Sequence, residues 1–390
     1  MLLEIVWMTM LGLNTVPFAA YIVYMTQVAR KRPWNLLMDD LYEPTVSIII
    51  PTYEEGATIR RKLDNIMQLD YPKAKMEIII ADSASKDNTI NRVREWSAEH
   101  GEIKVITVQE SERRGMVKAL NEGLRYATGE IVVKTDADCL LFKDSLRNAM
   151  KYLADPKVGS VAGLHVIDAA RQTSAVTVER TYRNFYRSLR IGESKLYGTV
   201  LYEGELMLVK RSLLDRVPFD ESIGADDVPT ALRMAELGYR AITAEDAYFR
   251  EQTPYTWKIK LDQKIRRGRH VLQALWKYKH LLFKKNTPFH RIILPFEFYI
   301  YAVNPIITLI VAMLSVAMLF KYPWIGFMST LLLIRSIREA FATHIVNSFI
   351  MVSAVVSELI GRERLTWNKI DEIREPVQSK SLTGGLVGRS

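Results

Sequence analysis

Residues 2–28 carry one charged side chain, Glu4, and then run into Arg30-Lys31-Arg32. No other feature limits the chain so strongly. As a helix rising about 1.5 Å per residue, the segment crosses a hydrocarbon core of roughly 30 Å with some tilt. A basic leading region and small cleavage-site residues are missing, which reads against a removable leader. Positive charge beside an apolar segment faces the cytosol, so the far end of this helix is expected there. Two further apolar stretches, Phe296 to Phe320 and Phe341 to Ile360, are each long enough to span, although the second holds His344, Asn347 and Glu358. Trp324 to Ile334 is apolar but short, and is expected to be re-entrant or interfacial. Three spans place the N-terminus outside and the long middle segment in the cytosol.

A mean hydropathy of −0.01 averages these apolar ends with an ordinary polar middle. The formal charge of +9 is concentrated at Arg30-Lys31-Arg32 and between Lys258 and Arg291. Both clusters adjoin apolar segments, so membrane anchoring accounts for them and nucleic acid is not expected as a partner. The single cysteine, Cys139, rules out an internal disulfide framework and suits a reducing compartment. Six scattered histidines show no paired metal-binding spacing.

From Val46 the pattern alternates. Strands are expected at Val46 to Ile50, Glu77 to Ala81, Lys104 to Val108 and Ile131 to Thr135. Between them, helices are expected at Gly56 to Leu69, Thr89 to His100 and Met116 to Ala127. Such alternation predicts a mostly parallel sheet covered on both faces, and ligands bind such sheets at the carboxyl ends of the strands. Thr52, Glu54, Asp82, Asp136 and Asp138 all fall at those ends. Further on, Val158 to Val166 and Leu206 to Val209 read as strands. Thr173 to Leu189 and Pro229 to Leu237 read as helices, the first with Tyr182, Phe185, Tyr186 and Leu189 on one side. Trp257 to Lys285 carries apolar residues at helical period against Lys and Arg, and is expected to lie in the membrane interface.

Asp136 and Asp138 stand one residue apart after a β-branched run. Alone, such a pair is a weak signal. At the mouth of a parallel sheet, it suits Mg2+ or Mn2+, which takes one or two carboxylates together with phosphate oxygens. No Gly-x-Gly-x-x-Gly or Walker loop is present to cradle phosphates through backbone amides. A metal and nearby arginines would have to neutralise a diphosphate instead.

Five ordered motifs resemble the family 2 glycosyltransferases of GT-A fold, in their small membrane-integral, cellulose-synthase-like form. They are Pro51-Thr52-Tyr53-Glu54-Glu55, Ala81-Asp82-Ser83, Thr135-Asp136-Ala137-Asp138, Gly224-Ala225-Asp226-Asp227 and Gln263-Lys264-Ile265-Arg266-Arg267. The resemblance covers about Pro44 to Gly268. It implies a Rossmann-like α/β GT-A domain at the cytosolic face of the cell membrane, with a small helical membrane domain of about three spans and amphipathic interface helices. The expected layout is a transmembrane helix over 1–30, the GT-A domain over 44–250, an interface segment over 251–292, transmembrane helices over 293–361 and a cytosolic tail over 362–390.

Site roles follow from the resemblance position by position. Pro51, Thr52, Glu54, Asp82, Lys118, Asp136, Gln263, Arg266 and Arg267 would bind the donor. Asp138, with Asp136, would hold Mg2+ or Mn2+. Asp227 would be the catalytic base, with Asp226 beside it where the family has Glu. Glu203, Gly204 and Glu205 would line the acceptor site. The implied reaction is an inverting displacement by an acceptor hydroxyl, with Asp227 taking its proton. A phosphomonoester is already substantially ionised near neutrality, with a second pKa of about 6, and needs no such base. The retained Asp227 therefore favours a sugar already on a polyprenyl or dolichyl carrier. Arg267 replaces the Trp that stacks on the growing chain in polymerising relatives, so one hexose per encounter is expected. The donor implied is GDP-mannose, as in enzymes that build N-glycan precursors, with UDP-hexose the other choice. Competing readings are a polyprenyl-phosphate hexose synthase, a UDP-glucose-dependent glucosyltransferase, and a silent nucleotide-sugar-binding scaffold.

Overall fold

A computed structural model describes residues 1–168, 172–323, 333 and 335–361. In chain order the helices are α1 (Leu2–Lys31), α2 (Ile59–Met67), α3 (Thr89–Glu99), α4 (Met116–Leu124), α5 (Ser145–Leu153) and α6 (Ser174–Leu196). They continue with α7 (Arg211–Leu214), α8 (Asp227–Glu236), α9 (Trp257–Lys277), α10 (Leu294–Phe298), α11 (Asn304–Lys321) and α12 (Arg335–Leu359). The strands are β1 (Val46–Thr52), β2 (Met76–Asp82), β3 (Lys104–Gln109), β4 (Ile131–Thr135), β5 (Leu140–Leu141), β6 (Val158–Asp168), β7 (Leu206–Lys210) and β8 (Arg240–Gln252).

All eight strands join one sheet in the order β3-β2-β1-β4-β7-β6-β8-β5. The expected parallel pattern holds from β3 to β4. Beyond β4 the sheet is mixed: β7 runs antiparallel to β4 and β6, while β6 and β8 are parallel. Continuous apolar runs suit the central strands because both faces are covered. Successive residues of β1 alternate faces. Ile48 and Ile50 enter a core with Ile59, Leu63 and Trp96, while Ile49 enters another with Leu120, Val132 and Met234. Two strands were absent from the sequence reading. β5 is two residues long, and β8 mixes apolar with charged residues and so shows no clean alternation.

A third core joins this domain to the long apolar helices. Tyr21 and Met25 of α1 pack with Leu189 of α6, Leu275 of α9 and Ile300. The approach of α1 to α6 is so close that a Cβ on Gly192 would collide with the Met25 carbonyl oxygen. Leu2–Lys31, Phe289–Lys321 and Phe341–Leu359 are each long and apolar enough to cross a membrane. The second begins at Phe289, earlier than the apolar run, because π-helical turns at Phe289–Ile293 and Tyr299–Val303 carry the helix through α10 into α11. Polar residues link the three. Asn14 donates to Thr308 Oγ1 at 2.7 Å, Asn304 to the Asn14 carbonyl at 3.0 Å, and His344 Nε2 lies 3.2 Å from Thr308 Oγ1. Most of the expected interfacial piece, Trp324 to Ile334, and the tail over 362–390 lie outside the described residues.

The amphipathic segment forms α9 and is less peripheral than its sequence implies. Its Gly268 rests against Met351 and Ala354 of α12, and Gln273 and Arg269 reach Glu358 at 3.0 and 3.1 Å. Its far end leaves Trp276 64% exposed, and Phe283 beyond it 83% exposed. The helix therefore bridges the α/β domain and α12 while presenting aromatic side chains outward.

Candidate active site

The register of the sheet assembles the site. Thr52 ends β1 opposite Asp82 at the end of β2. Thr52 Oγ1 donates to Asp82 Oδ1 at 2.9 Å, and the Ser85 amide and hydroxyl donate to the same carboxylate at 2.9 and 2.5 Å. Ser85 Oγ accepts from the Glu54 amide at 2.8 Å. The two loops close on each other with Glu54 and Ala84 at φ of 54° and 58°, a left-handed conformation unusual for residues with a Cβ. The large cavity beside them is lined from these loops by Pro51, Thr52, Tyr53, Glu55 and Ser83; Glu54, Asp82 and Lys118 are not part of its lining.

β4 delivers Asp136 and Asp138 to the same edge, where both line the cavity. Because β7 runs antiparallel with Leu206 opposite Thr135, Glu205 arrives beside them, and Thr135 Oγ1 donates to the Glu205 carbonyl at 2.8 Å. Lys62 is wholly buried under this turn and donates to Thr135 Oγ1 at 2.7 Å and the Cys139 carbonyl at 2.9 Å. Burial pushes the Cys139 thiol up to about 11, so it packs as a neutral group.

The centre of the site is a residue that the sequence did not mark. Lys134 is buried, and its ammonium sits 2.7 Å from Asp136 Oδ1 and 3.1 Å from Asp226 Oδ2. Burial works against its charge, but Asp136, Asp226 and Glu205 outweigh that and hold it protonated. The chain passes so near that a Cβ on Gly204 would stand 3.1 Å from Asp226 Oδ2, which explains glycine there. Asp226 precedes α8, and Asp227 Oδ1 accepts from the Val228 amide at 2.7 Å. Burial, and then the neighbouring Asp226 carboxylate, raise Asp227 to about 7. An acid poised there changes hands with a proton near neutrality, as general bases must.

The opposite wall is a web of buried ion pairs. Glu203 meets Arg183 at 2.5 Å and also pairs with Arg190. Glu179 meets Arg183 at 2.8 Å, Lys264 at 2.9 Å and Lys260 at 3.2 Å. Arg267 reaches Glu205 at 3.3 Å and Glu251 at 4.0 Å. Gln263, Arg266, Arg267 and His270 follow one face of α9 along the cavity. Burial raises Glu205 and Glu251, with Arg267 opposing in each case.

The expected site residues thus fall into two sets. Pro51, Thr52, Asp136, Asp138, Glu203, Gly204, Glu205, Asp226, Asp227, Gln263, Arg266 and Arg267 share one cavity of about 420 Å³. Glu54, Asp82 and Lys118 stand outside its lining. Lys134, Glu179, Arg183, Arg190 and Glu251 were missed. On α6 a signal existed, since Glu179, Arg183 and Arg190 recur at helical spacing on one face. For Lys134 there was none, because a lysine in a strand reads as a solvent-facing residue.

A parallel half-sheet ending in paired carboxylates, joined to a mixed half that brings an acid and a helix start to the same edge, defines a glycosyltransferase of GT-A fold. Residues 44–269 match the family described as glycosyltransferase like family 2, and the chain belongs to that family. It is 29% identical to the probable glycosyltransferase YdaM of Bacillus subtilis, over 72% of this chain and 68% of that protein. It is 26% identical to glycosyltransferase AglE of Haloferax volcanii, over 52% of this chain and 65% of that protein. The structure is similar to the mannosyltransferase PcManGT from Pyrobaculum calidifontis in complex with GDP-Man and Mn2+, with a TM-score of 0.77 and 35% identity over 93% of this chain and all of that one.

Proposed function

We propose that this glycosyltransferase moves one mannose from GDP-mannose to a sugar on a membrane-embedded lipid carrier, at the cytosolic face and with inversion. The observation that carries the reading is the reach of the cavity. The same space that holds Asp138 and Asp227 is lined by Phe18 of α1, Asn304 of α11, and His344 and Ser348 of α12. A soluble acceptor has no need of a site that continues between helices long enough to span a bilayer. The likeness to PcManGT, whose complex holds GDP-Man and Mn2+, supports the donor.

The donor set fits a divalent ion of the Mg2+ or Mn2+ kind. Asp136 and Asp138 offer only hard oxygen atoms, and among the described residues no group of three or more His, Cys, Asp or Glu side chains forms a closed metal site. Such a pair leaves coordination positions for diphosphate oxygens. Bound there, the ion would offset charge on the leaving nucleoside diphosphate. Lys134 holds Asp136 in place and offsets the repulsion between Asp136 and Asp226. Gln263 and Arg266 lie along the cavity where the diphosphate departs, and Arg266 carries charge that stabilises it. Asp227 takes the proton of the attacking hydroxyl. Glu203, fixed by Arg183 and Arg190, shapes the acceptor wall and does not itself move a proton.

The test uses full-length protein in detergent with radiolabelled GDP-mannose and Mn2+. A disaccharide-diphosphopolyprenol should be labelled, and bare polyprenyl phosphate should be labelled far more slowly. Faster labelling of the bare phosphate, with that rate kept in Asp227→Asn, would overturn the acceptor assignment.

A further inference from the structure

The cavity contains an aromatic surface that the proposed chemistry does not use. Tyr182, Phe185 and Tyr186 lie one turn apart on α6, half-buried, and all three line the space between the catalytic carboxylates and α12. Their rings form a continuous bench. Tyr182 and Tyr186 are 4.4 Å apart at 39°, and Phe185 meets Tyr186 edge-on at 5.2 Å. Lys264 places its ammonium 4.0 Å from the Tyr182 ring centre. Phe185 also stacks on Phe18 at 6.0 Å, and the ring surface that the cluster leaves along the cavity forgoes contacts that a ligand would supply.

The surroundings distinguish between a hydrocarbon and a sugar. Arg190 Nε and Thr343 Oγ1 are buried without a hydrogen-bond partner, and both residues line the same cavity. Thr343 is only 8% exposed. Tyr301 sits in the π-helical turn Tyr299–Val303, a distortion often found at functional sites. An isoprenoid chain on the bench offers these polar atoms no partner, whereas buried polar groups are as a rule hydrogen-bonded. A sugar satisfies both demands, with C–H groups for the rings and hydroxyls for the orphaned atoms.

We propose that Tyr182, Phe185 and Tyr186, with the hydroxyl of Thr343, form a subsite for the glycan of the acceptor. The inference rests on the lipid-linked acceptor assigned above and adds the part of it that is gripped. α6 supplies the aromatic surface that α9, with Arg267 in place of a stacking aromatic, does not.

The experiment measures acceptor KM with a disaccharide-diphosphopolyprenol and with its short-chain citronellyl analogue. Tyr182→Ala and Tyr186→Ala are each expected to raise acceptor KM roughly tenfold for both compounds, while Tyr186→Phe and Tyr182→Trp stay near wild type. Thr343→Val is expected to raise it by a few-fold. The thermal shift with GDP and Mn2+ reports whether each variant is folded with its donor site intact. A penalty that vanishes on the short-chain compound places the lipid on the bench and overturns the proposal. So does an unchanged KM in Tyr186→Ala, or a Tyr186→Leu variant equal to wild type. If wild type labels glycolipid while these variants behave normally, the subsite fails and the acceptor class stands. If wild type labels no glycolipid, both fail.

Discussion

The two halves of the site are held by different physics. On one side, Thr52, Asp82 and Ser85 are joined by short hydrogen bonds between adjacent strand ends. On the other side, Lys134, Glu203, Glu205 and Arg267 are held by ion pairs. Asp82 accepts three hydrogen bonds, and losing one leaves the others. A buried charge with few partners has no such reserve, since removing its counter-ion strands it in a poor dielectric. The hydrogen-bonded half should therefore tolerate single changes that the ion-paired half does not.

The largest expected effect is on turnover. Asp227→Asn should lower transfer by about a thousandfold, within the range found for a positioned base, while GDP with Mn2+ still raises the Tm. A variant that keeps its rate would remove Asp227 as base. Asp138→Ala should act the other way round: the Tm increment from GDP becomes independent of Mn2+, and donor hydrolysis stops responding to chelator. Unaltered metal dependence would strike out the metal assignment.

Lys134→Met tests the comparison most directly. It leaves buried Asp226 and half-buried Asp136 without their shared cation and should cost about 3–5 kcal/mol, read as a fall in denaturation midpoint. Adding Asp226→Asn to that variant should recover part of the loss, because one of the two stranded acids is then neutral. No recovery would mean that packing and not charge accounts for the cost.

The raised Asp227 acid gives a pH signature of opposite sign for folding and for rate. Its folded pKa, about 7, lies above that of an unfolded carboxyl, so the folded state binds the proton more tightly. Its contribution to stability is full below the unfolded value and is lost as pH rises through about 7. Activity needs the ionised form, so kcat/KM should rise tenfold per pH unit below about 7 and level off above it. A profile flat from pH 5 to about 8 would exclude Asp227 as the group that titrates.

The same contrast explains what the sequence revealed. Asp136-Ala137-Asp138 and Pro51-Thr52-Tyr53 are contiguous, and their strands are plain apolar runs, so the parallel half and its ligand edge were legible. The mixed half was not. β8 interleaves Ala with Arg, Glu and Asp because it borders an ion-pair web, and that hides its period. Lys134 carries no local sign of burial, because its partner Asp226 comes from a loop that only the antiparallel β7 brings near. Long-range charge pairing leaves little trace in a single sequence, whereas strand ends and spans do.

Thr52→Val gives the smallest effect and the sharpest check on the contrast. It removes one donor from Asp82, which keeps the Ser85 amide and hydroxyl. A single hydrogen bond to a carboxylate with other partners contributes about 1 kcal/mol net, so the Tm should fall by a few degrees at most. Affinity for GDP should weaken by a few-fold, because Thr52 lines the cavity while Asp82 behind it stays fixed. Asp82→Ala should cost more than Thr52→Val, since it frees both loops at once, yet less than Lys134→Met. If Thr52→Val proves as damaging as Lys134→Met, the hydrogen-bonded half has no redundancy and the two halves do not differ in that way.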